Sequence, residues 1–95
     1  MGRVQDRVAV VTGGANGLGQ AIACRLAEEG ARLVLGDLDA GGLERTVAHI
    51  TSAGGEVLSV VGDLTEEAPA AQLIQSAVER YGRLDILVNV VGGSR

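Results

Sequence analysis

A glycine-rich segment follows directly on a short apolar strand near the start of the chain. The predicted strand is Val8–Thr12, and residues 12–19 read Thr-Gly-Gly-Ala-Asn-Gly-Leu-Gly. An amphipathic stretch comes next, with Leu18, Ile22 and Leu26 spaced four residues apart as on one face of a helix. A strand, a glycine turn and a helix start in this order hold a pyrophosphate against a helix N-terminus. The segment therefore predicts an α/β fold and a dinucleotide ligand.

The remaining chain alternates strand-like and helix-like segments without a linker or a repeat. Three further strands are predicted at residues 32–36, 56–61 and 85–89. Helices between consecutive strands require right-handed βαβ crossovers and a parallel sheet. We therefore predict a partial doubly wound Rossmann sheet of strand order 3-2-1-4, with the first two helices on one face and the third on the other.

Capping and breaking residues mark the predicted helices. Asp39 is a suitable N-cap for the second helix, and Thr65 followed by two acids suits the start of the third. Glycines end the three helices at Gly30, residues 54–55 and Gly82. The predicted buried face of the second helix is Leu43, Val47 and Ile50, and that of the third is Ala70, Leu73, Ile74, Ala77, Val78 and Tyr81.

Composition excludes several classes of function. The 95 residues make one domain at most, and their net charge of −4 argues against a nucleic-acid or anionic-membrane surface. All eight basic residues are arginines, so a P-loop lysine and a lysine Schiff base are excluded within this sequence. The single Cys24 excludes an internal disulfide and provides no metal cluster. No segment is apolar enough to span a membrane, and a cytoplasmic protein is the expectation.

The glycines of the turn have separate predicted tasks. The common G-x-G-x-x-G spacing does not fit, because Asn16 stands where its second glycine would be, and the pattern is instead T-G-x-x-x-G-x-G. Gly13 makes the tight turn off the strand. Gly17 lets the backbone approach the pyrophosphate, and Gly19 allows the helix to pack closely on the sheet.

An acid after the second strand predicts which dinucleotide binds. Asp37 stands 18 residues after Gly19, where a carboxylate accepts hydrogen bonds from the adenosine ribose. The same carboxylate repels a 2′-phosphate, and Asn16 and Leu38 supply no positive charge to hold one. The sequence therefore predicts NAD in preference to NADP. A solvated or helix-capping acid is the alternative role for Asp37.

Two further segments are predicted to border the same crevice. Asp63 and Leu64 follow the third strand, where an acid can accept from the exocyclic amine of adenine or cap the next helix. Residues 89–92, Asn-Val-Val-Gly, end the fourth strand. In a sheet of order 3-2-1-4 the first and fourth strands flank the topological switch point, where ligands bind.

With these motifs in place, the chain resembles the N-terminal part of a short-chain dehydrogenase/reductase. Residues 12–19 match the family's T-G-x-x-x-G-x-G, Asp63-Leu64 its adenine-side acid, and residues 89–92 are similar to its N-N-A-G, with two valines replacing the second Asn and the Ala. The resemblance covers nearly the whole chain. The predicted cofactor-binding residues are Gly13, Asn16, Gly17, Leu18, Gly19, Asp37, Leu38, Asp63, Leu64, Asn89, Val91 and Gly92.

The resemblance implies NAD(P)-dependent oxidation of an alcohol or reduction of a carbonyl. The family's catalytic Ser and Tyr-x-x-x-Lys match nothing in residues 1–95, so this NAD(P)-binding half-domain is expected to bind a dinucleotide without turnover, as part of a longer dehydrogenase. A stand-alone binding or regulatory module is the alternative. A flavin or S-adenosylmethionine domain is disfavoured by Gly17-x-Gly19 together with the segment Asn89–Gly92. Tyr81 is assigned to helix packing, and His49 and Cys24 to no site. The open edge of the fourth strand is expected to favour self-association and marginal stability.

Overall fold

The computed structural model describes residues 5–15 and 17–90 and contains one four-stranded parallel sheet. The strands run in the order β3-β2-β1-β4, with all neighbours parallel, which confirms the predicted topology. Helices α1, α2 and α3 alternate with the strands along the chain. The elements are β1 Val8–Thr12, α1 Gly17–Glu28, β2 Arg32–Asp37, α2 Ala40–Ser52, β3 Val57–Val61, α3 Glu67–Tyr81 and β4 Ile86–Asn89.

The sheet is covered on both faces, as predicted. Successive side chains of a strand point to opposite faces, so Ala9 and Val11 of β1 enter a different core from Val8 and Val10. The first core lies under α1 and α2 and includes Ala23, Leu33, Leu35, Leu43 and Ile50. The second lies under α3 and includes Val34, Leu73 and Ala77. Aliphatic and alanine side chains therefore fill both layers.

Element boundaries differ from the prediction by one or two residues. β2 continues to Asp37, β3 begins at Val57 and β4 begins at Ile86. The third helix begins at Glu67 instead of Thr65, because Thr65 belongs to the turn before it and Glu66 is the N-cap. Its cap residue makes no side-chain capping bond.

Two apolar residues of the predicted helix stripes are exposed. Leu18 is 67% exposed, because the first turn of α1 lies beyond the end of β1. Val78 is 48% exposed, since it sits one residue round the helix from the buried Ala77. The end of α3 is as predicted, with Gly82 in the left-handed conformation and its N–H donating to the Val78 carbonyl. No helix among residues 5–15 and 17–90 is long and apolar enough to cross a membrane.

Candidate dinucleotide site at the carboxyl ends of the strands

The glycine-rich turn leaves β1 and is tied at once to β2. The N–H groups of Gly13 and Gly14 both donate to the carbonyl of Gly36, at 2.7 and 3.3 Å. Gly36 lies beside Thr12 in the parallel register of the two strands. The turn is thus held by backbone bonds at the carboxyl edge of the sheet, and the first turn of α1 follows it.

The backbone conformations of the glycines explain how the turn is shaped and correct one predicted task. Gly13 and Gly17 have positive φ angles of 78° and 56°, which a residue with a Cβ rarely adopts. A Cβ on Gly17 would meet no heavy atom of residues 5–15 and 17–90 within 4 Å, so this side of the turn is open with respect to those residues. A Cβ on Gly19 would collide with the Gly13 carbonyl oxygen. Gly19 therefore lets α1 pack against the turn, where the sequence predicted packing against the sheet.

Asp37 ends β2 with its carboxylate turned toward the glycine-rich turn. One carboxylate oxygen accepts the N–H of Ala15 and the other accepts the N–H of Asp39, both at 3.0 Å. Asp39 is the N-cap of α2, as predicted, and accepts from the Gly42 N–H at 3.0 Å. Leu38 between them is 67% exposed. The carboxylate predicted to contact the ribose is thus fixed by two backbone donors.

Asp63 and Leu64 follow β3 at the same edge of the sheet. One oxygen of Asp63 accepts from the Thr65 hydroxyl at 2.6 Å and from the Thr65 N–H at 3.0 Å. These two bonds hold the pKa of Asp63 below its usual value of 3.8, and the bond from the hydroxyl contributes more than the bond from the N–H. The half-buried Leu64 packs against the core under α3. Asp63 is therefore an ionised acceptor that the turn before α3 holds in place.

The switch point between β1 and β4 carries a side-chain hydrogen bond. Thr12 and Asn89 are partners in the register of these strands. The Thr12 hydroxyl donates to the Asn89 amide oxygen at 2.6 Å. Asn89 is exposed at the end of its strand. The other predicted residues, Asn16, Val91 and Gly92, lie outside the part of the chain that the structure describes.

Sequence reasoning missed a buried polar contact under the glycine-rich turn. Thr46 of α2 is completely buried, and its Oγ1 lies 3.0 Å from the Gly14 carbonyl oxygen. Gln20 of α1 donates to the same hydroxyl at 3.1 Å. The available signal was a polar residue on the predicted apolar face of α2, three residues after Leu43 and four before Ile50.

Three residues were assigned no part in the dinucleotide site. Tyr81 is half-buried against the core under α3, and burial raises its pKa above 10.0. It ends α3, where the chain turns back to start β4, so it lies at the opposite end of the sheet from the glycine-rich turn. His49 is exposed on α2, and Cys24 packs partly against the core under α1 and α2. Burial, and secondarily Glu28, raises the pKa of the Cys24 thiol.

The sequence matches the short chain dehydrogenase family over residues 7–95. Levodione reductase from Leifsonia aquatica is 44% identical over 92 residues, which cover 95% of this chain and 34% of that protein. The chain spans about a third of the length of the curated relatives it matches.

Solved structures share the fold at comparable identity. A short chain dehydrogenase/reductase from Burkholderia phymatum in complex with NAD superposes with a TM-score of 0.86 at 39% identity, covering 92% of this chain and 31% of that one. A metagenomic short-chain oxidoreductase in complex with NADP also gives 0.86 at 39% identity, covering 95% and 41%. Proteins of this fold thus bind either dinucleotide, and the choice between them depends on particular side chains.

Proposed function

Because the chain belongs to the short-chain dehydrogenase family, we propose that residues 1–95 form the NAD(P)-binding half-domain of a dehydrogenase. The turn from Gly13 to Gly19 binds the pyrophosphate in this proposal. Its support is the open side of the turn at Gly17, next to the first turn of α1, whose N–H groups have no partners within the helix. A glycine at position 17 leaves room for an anion at those donors.

The adenosine half of the ligand is proposed to lie across the ends of β2 and β3. In this proposal the ribose hydroxyls donate to the Asp37 carboxylate. The observation that carries the choice of NAD is the place of that carboxylate at the end of β2, turned toward the glycine-rich turn. Two backbone donors already hold that carboxylate, so little side-chain freedom is lost when a ribose binds. Each of its oxygens has a further lone pair for a ribose hydroxyl. The exposed Leu18 and Leu38 offer apolar surface beside the turn and the acid.

NAD is proposed to bind more tightly than NADP. A 2′-phosphate at the ribose would place negative charge beside the Asp37 carboxylate, and such juxtapositions are costly. The described residues that neighbour Asp37 in sequence are Gly36 and Leu38, neither of which carries a positive charge. Asp63, held ionised by Thr65, adds further negative charge at the ends of the strands.

A dinucleotide bound here would supply the hydride chemistry of a longer dehydrogenase, giving a hydride to a carbonyl or accepting one from an alcohol. The part of that work proposed for this chain is binding and orientation. The Thr12–Asn89 bond ties together the carboxyl ends of the two paired strands that flank the switch point. Proton transfer is not proposed for Tyr81, because its ring is packed under α3 at the far end of the sheet.

Calorimetric titration of the chain with NAD and NADP tests the proposal. We expect the Kd for NADP to exceed that for NAD by about tenfold or more, and Asp37→Ala to bring the two values within about threefold of each other. Asp39→Ala is the matched control, because it removes an acid two residues away that caps α2. Asp39→Ala should lower the melting temperature while leaving the ratio of the Kd values for NAD and NADP unchanged. Equal affinities in the native chain would exclude the ribose role of Asp37.

A further inference from the structure

Thr46 is a completely buried polar side chain at the contact between α2 and the glycine-rich turn. Its Oγ1 lies 3.0 Å from the carbonyl oxygen of Gly14 and 3.1 Å from that of Gly42, one helical turn earlier. The Ala15 carbonyl oxygen is at 3.5 Å. All three acceptors compete for the single proton of the hydroxyl.

Gln20 of α1 also bonds to the Thr46 hydroxyl. Its Nε2 donates to the Thr46 hydroxyl oxygen at 3.1 Å and thereby occupies one lone pair. The Gly14 carbonyl is the shortest of the hydroxyl's contacts with an acceptor. A chain of hydrogen bonds thus runs from the first turn of α1 through α2 to the turn after β1, and such chains strengthen each bond in a buried setting.

The backbone of α2 approaches the turn closely at the same place. A Cβ on Gly42 would lie 2.7 Å from the Cβ of Ala15 and 2.8 Å from its carbonyl oxygen. On its outer side, the N–H of Ala15 is held by Asp37. The glycine-rich turn is therefore fixed from two directions, by the end of β2 on one side and by Thr46 of α2 on the other.

We propose that Thr46 is a positioning residue for the dinucleotide, which sets the conformation of the pyrophosphate-binding turn through the Gly14 carbonyl. This inference rests on the proposed function, since it assumes that the turn binds the pyrophosphate. Loss of the hydroxyl would free the Gly14 carbonyl and leave it buried without that donor. The turn would relax away from the geometry that places the first N–H groups of α1 beside the ligand.

A purely structural role makes different predictions. If Thr46 only satisfies the helix backbone through the Gly42 carbonyl, its loss lowers stability and weakens every ligand to the same extent. If Thr46 positions the turn, its loss weakens the binding of ligands that carry a pyrophosphate and spares the others. The ratio of the Kd values for NAD and for adenosine separates the two roles, because adenosine has no phosphate.

The test compares the native chain with Thr46→Val, Thr46→Ser and Ile50→Val. Titrations with NAD by calorimetry and with adenosine by NMR give the two Kd values, and thermal melting gives stability. We expect Thr46→Val to raise the Kd for NAD about three- to tenfold, the effect of one hydrogen bond, and that for adenosine less than about twofold. Thr46→Ser keeps the hydroxyl and should restore NAD binding. Ile50→Val is the matched control, because it destabilises the buried face of α2 without touching the turn.

Three results would overturn the inference while the proposed function stands. They are an equal weakening of NAD and adenosine in Thr46→Val, a failure of Thr46→Ser to restore binding, and a Kd change in Ile50→Val as large as that in Thr46→Val. If Thr46→Val does not fold, Gln20→Met decides, since it removes the donor to the same hydroxyl. In Gln20→Met, the ratio of the Kd for NAD to the Kd for adenosine should rise about twofold or more. An unchanged ratio overturns the inference. A native chain that binds no NAD overturns the proposed function as well.

Discussion

Asp85 joins the start of β1 to the segment before β4, at the amino ends of these strands. Its carboxylate accepts the N–H of Val8 at 2.9 Å and the guanidinium of Arg83 at 2.8 Å, with Arg7 at 3.6 Å. Its own N–H donates to the Val8 carbonyl at 2.9 Å. The bond from Arg83 contributes most, and the bond from the Val8 N–H next, to holding the pKa of Asp85 below its usual value of 3.8. The start of β4 is thereby fixed to the start of β1.

The lowered pKa of Asp85 predicts acid sensitivity. Its contribution to stability is complete above the unfolded-state pKa of 3.8 and disappears as the pH falls through the lower folded-state pKa. Urea unfolding between pH 2 and 7 should therefore show Asp85→Asn less stable than the native chain near neutrality, with the two curves converging below pH 4. The acid transition of Arg83→Gln should lie at a higher pH than that of the native chain. Parallel curves for the native chain and Asp85→Asn would contradict this account.

At the scale of elements, the first turn of α2 lies against the glycine-rich turn through one of two adjacent glycines. Gly42 is buried, and a Cβ there would clash with Ala15. Gly41 is exposed, and a Cβ there would make only ordinary contacts, at 3.7 Å, with Arg45 and Asp39. The closeness of α2 to the turn thus depends on Gly42.

The two glycines should respond oppositely to the same substitution. Gly41→Ala is expected to stabilise the chain by about 0.4–1 kcal/mol, because alanine restricts the unfolded chain and suits a helix. Gly42→Ala is expected to cost about 1–3 kcal/mol, since α2 must move away from Ala15. Urea unfolding of both variants measures the difference. Similar changes in both would mean that α2 and the turn are not packed as described.

At the scale of the molecule, the two edges of the sheet are covered unequally. β3 contacts both α2 and α3, while α3 contacts β1, β2 and β3. On β4, Ile86 and Val88 pack against the core under α1 and α2, and Leu87 is 57% exposed on the other face. An exposed apolar edge strand is a template for pairing with another chain.

We predict that this chain self-associates through β4. Sedimentation velocity over a range of concentrations should show a shift toward dimers or larger species, and Leu87→Lys should reduce it by placing a charge on the edge strand. Val61→Lys is the matched control, because Val61 is 55% exposed on the opposite edge strand, β3. If both variants reduce self-association equally, the association does not depend on β4. A native chain that stays monomeric at every concentration would contradict the prediction itself.

Much of the fold follows from local patterns in the sequence. Apolar runs of four to six residues, glycines with positive φ at helix ends and the Asp39 cap are short-range signals, and each describes an element that forms as expected. The handedness of βαβ crossovers then leaves few topologies, so the strand order was predictable as well. The family resemblance could be recognised because its motifs lie in these same short segments. The cofactor roles given to individual residues remain predictions.

Only the tertiary structure decided which groups hold the site together. Periodicity identifies the inward face of a helix but not what lies beneath it. Neither the exposure of Val78 nor the bond from Thr46 to the turn could therefore be read from spacing. The bonds that fix the site join residues far apart in sequence, such as Thr12 with Asn89 and Ala15 with Asp37. Sequence alone determined the order of the elements, because the signals for an element are local. The partners of its polar groups were decided by the fold, because they meet only when the sheet has formed.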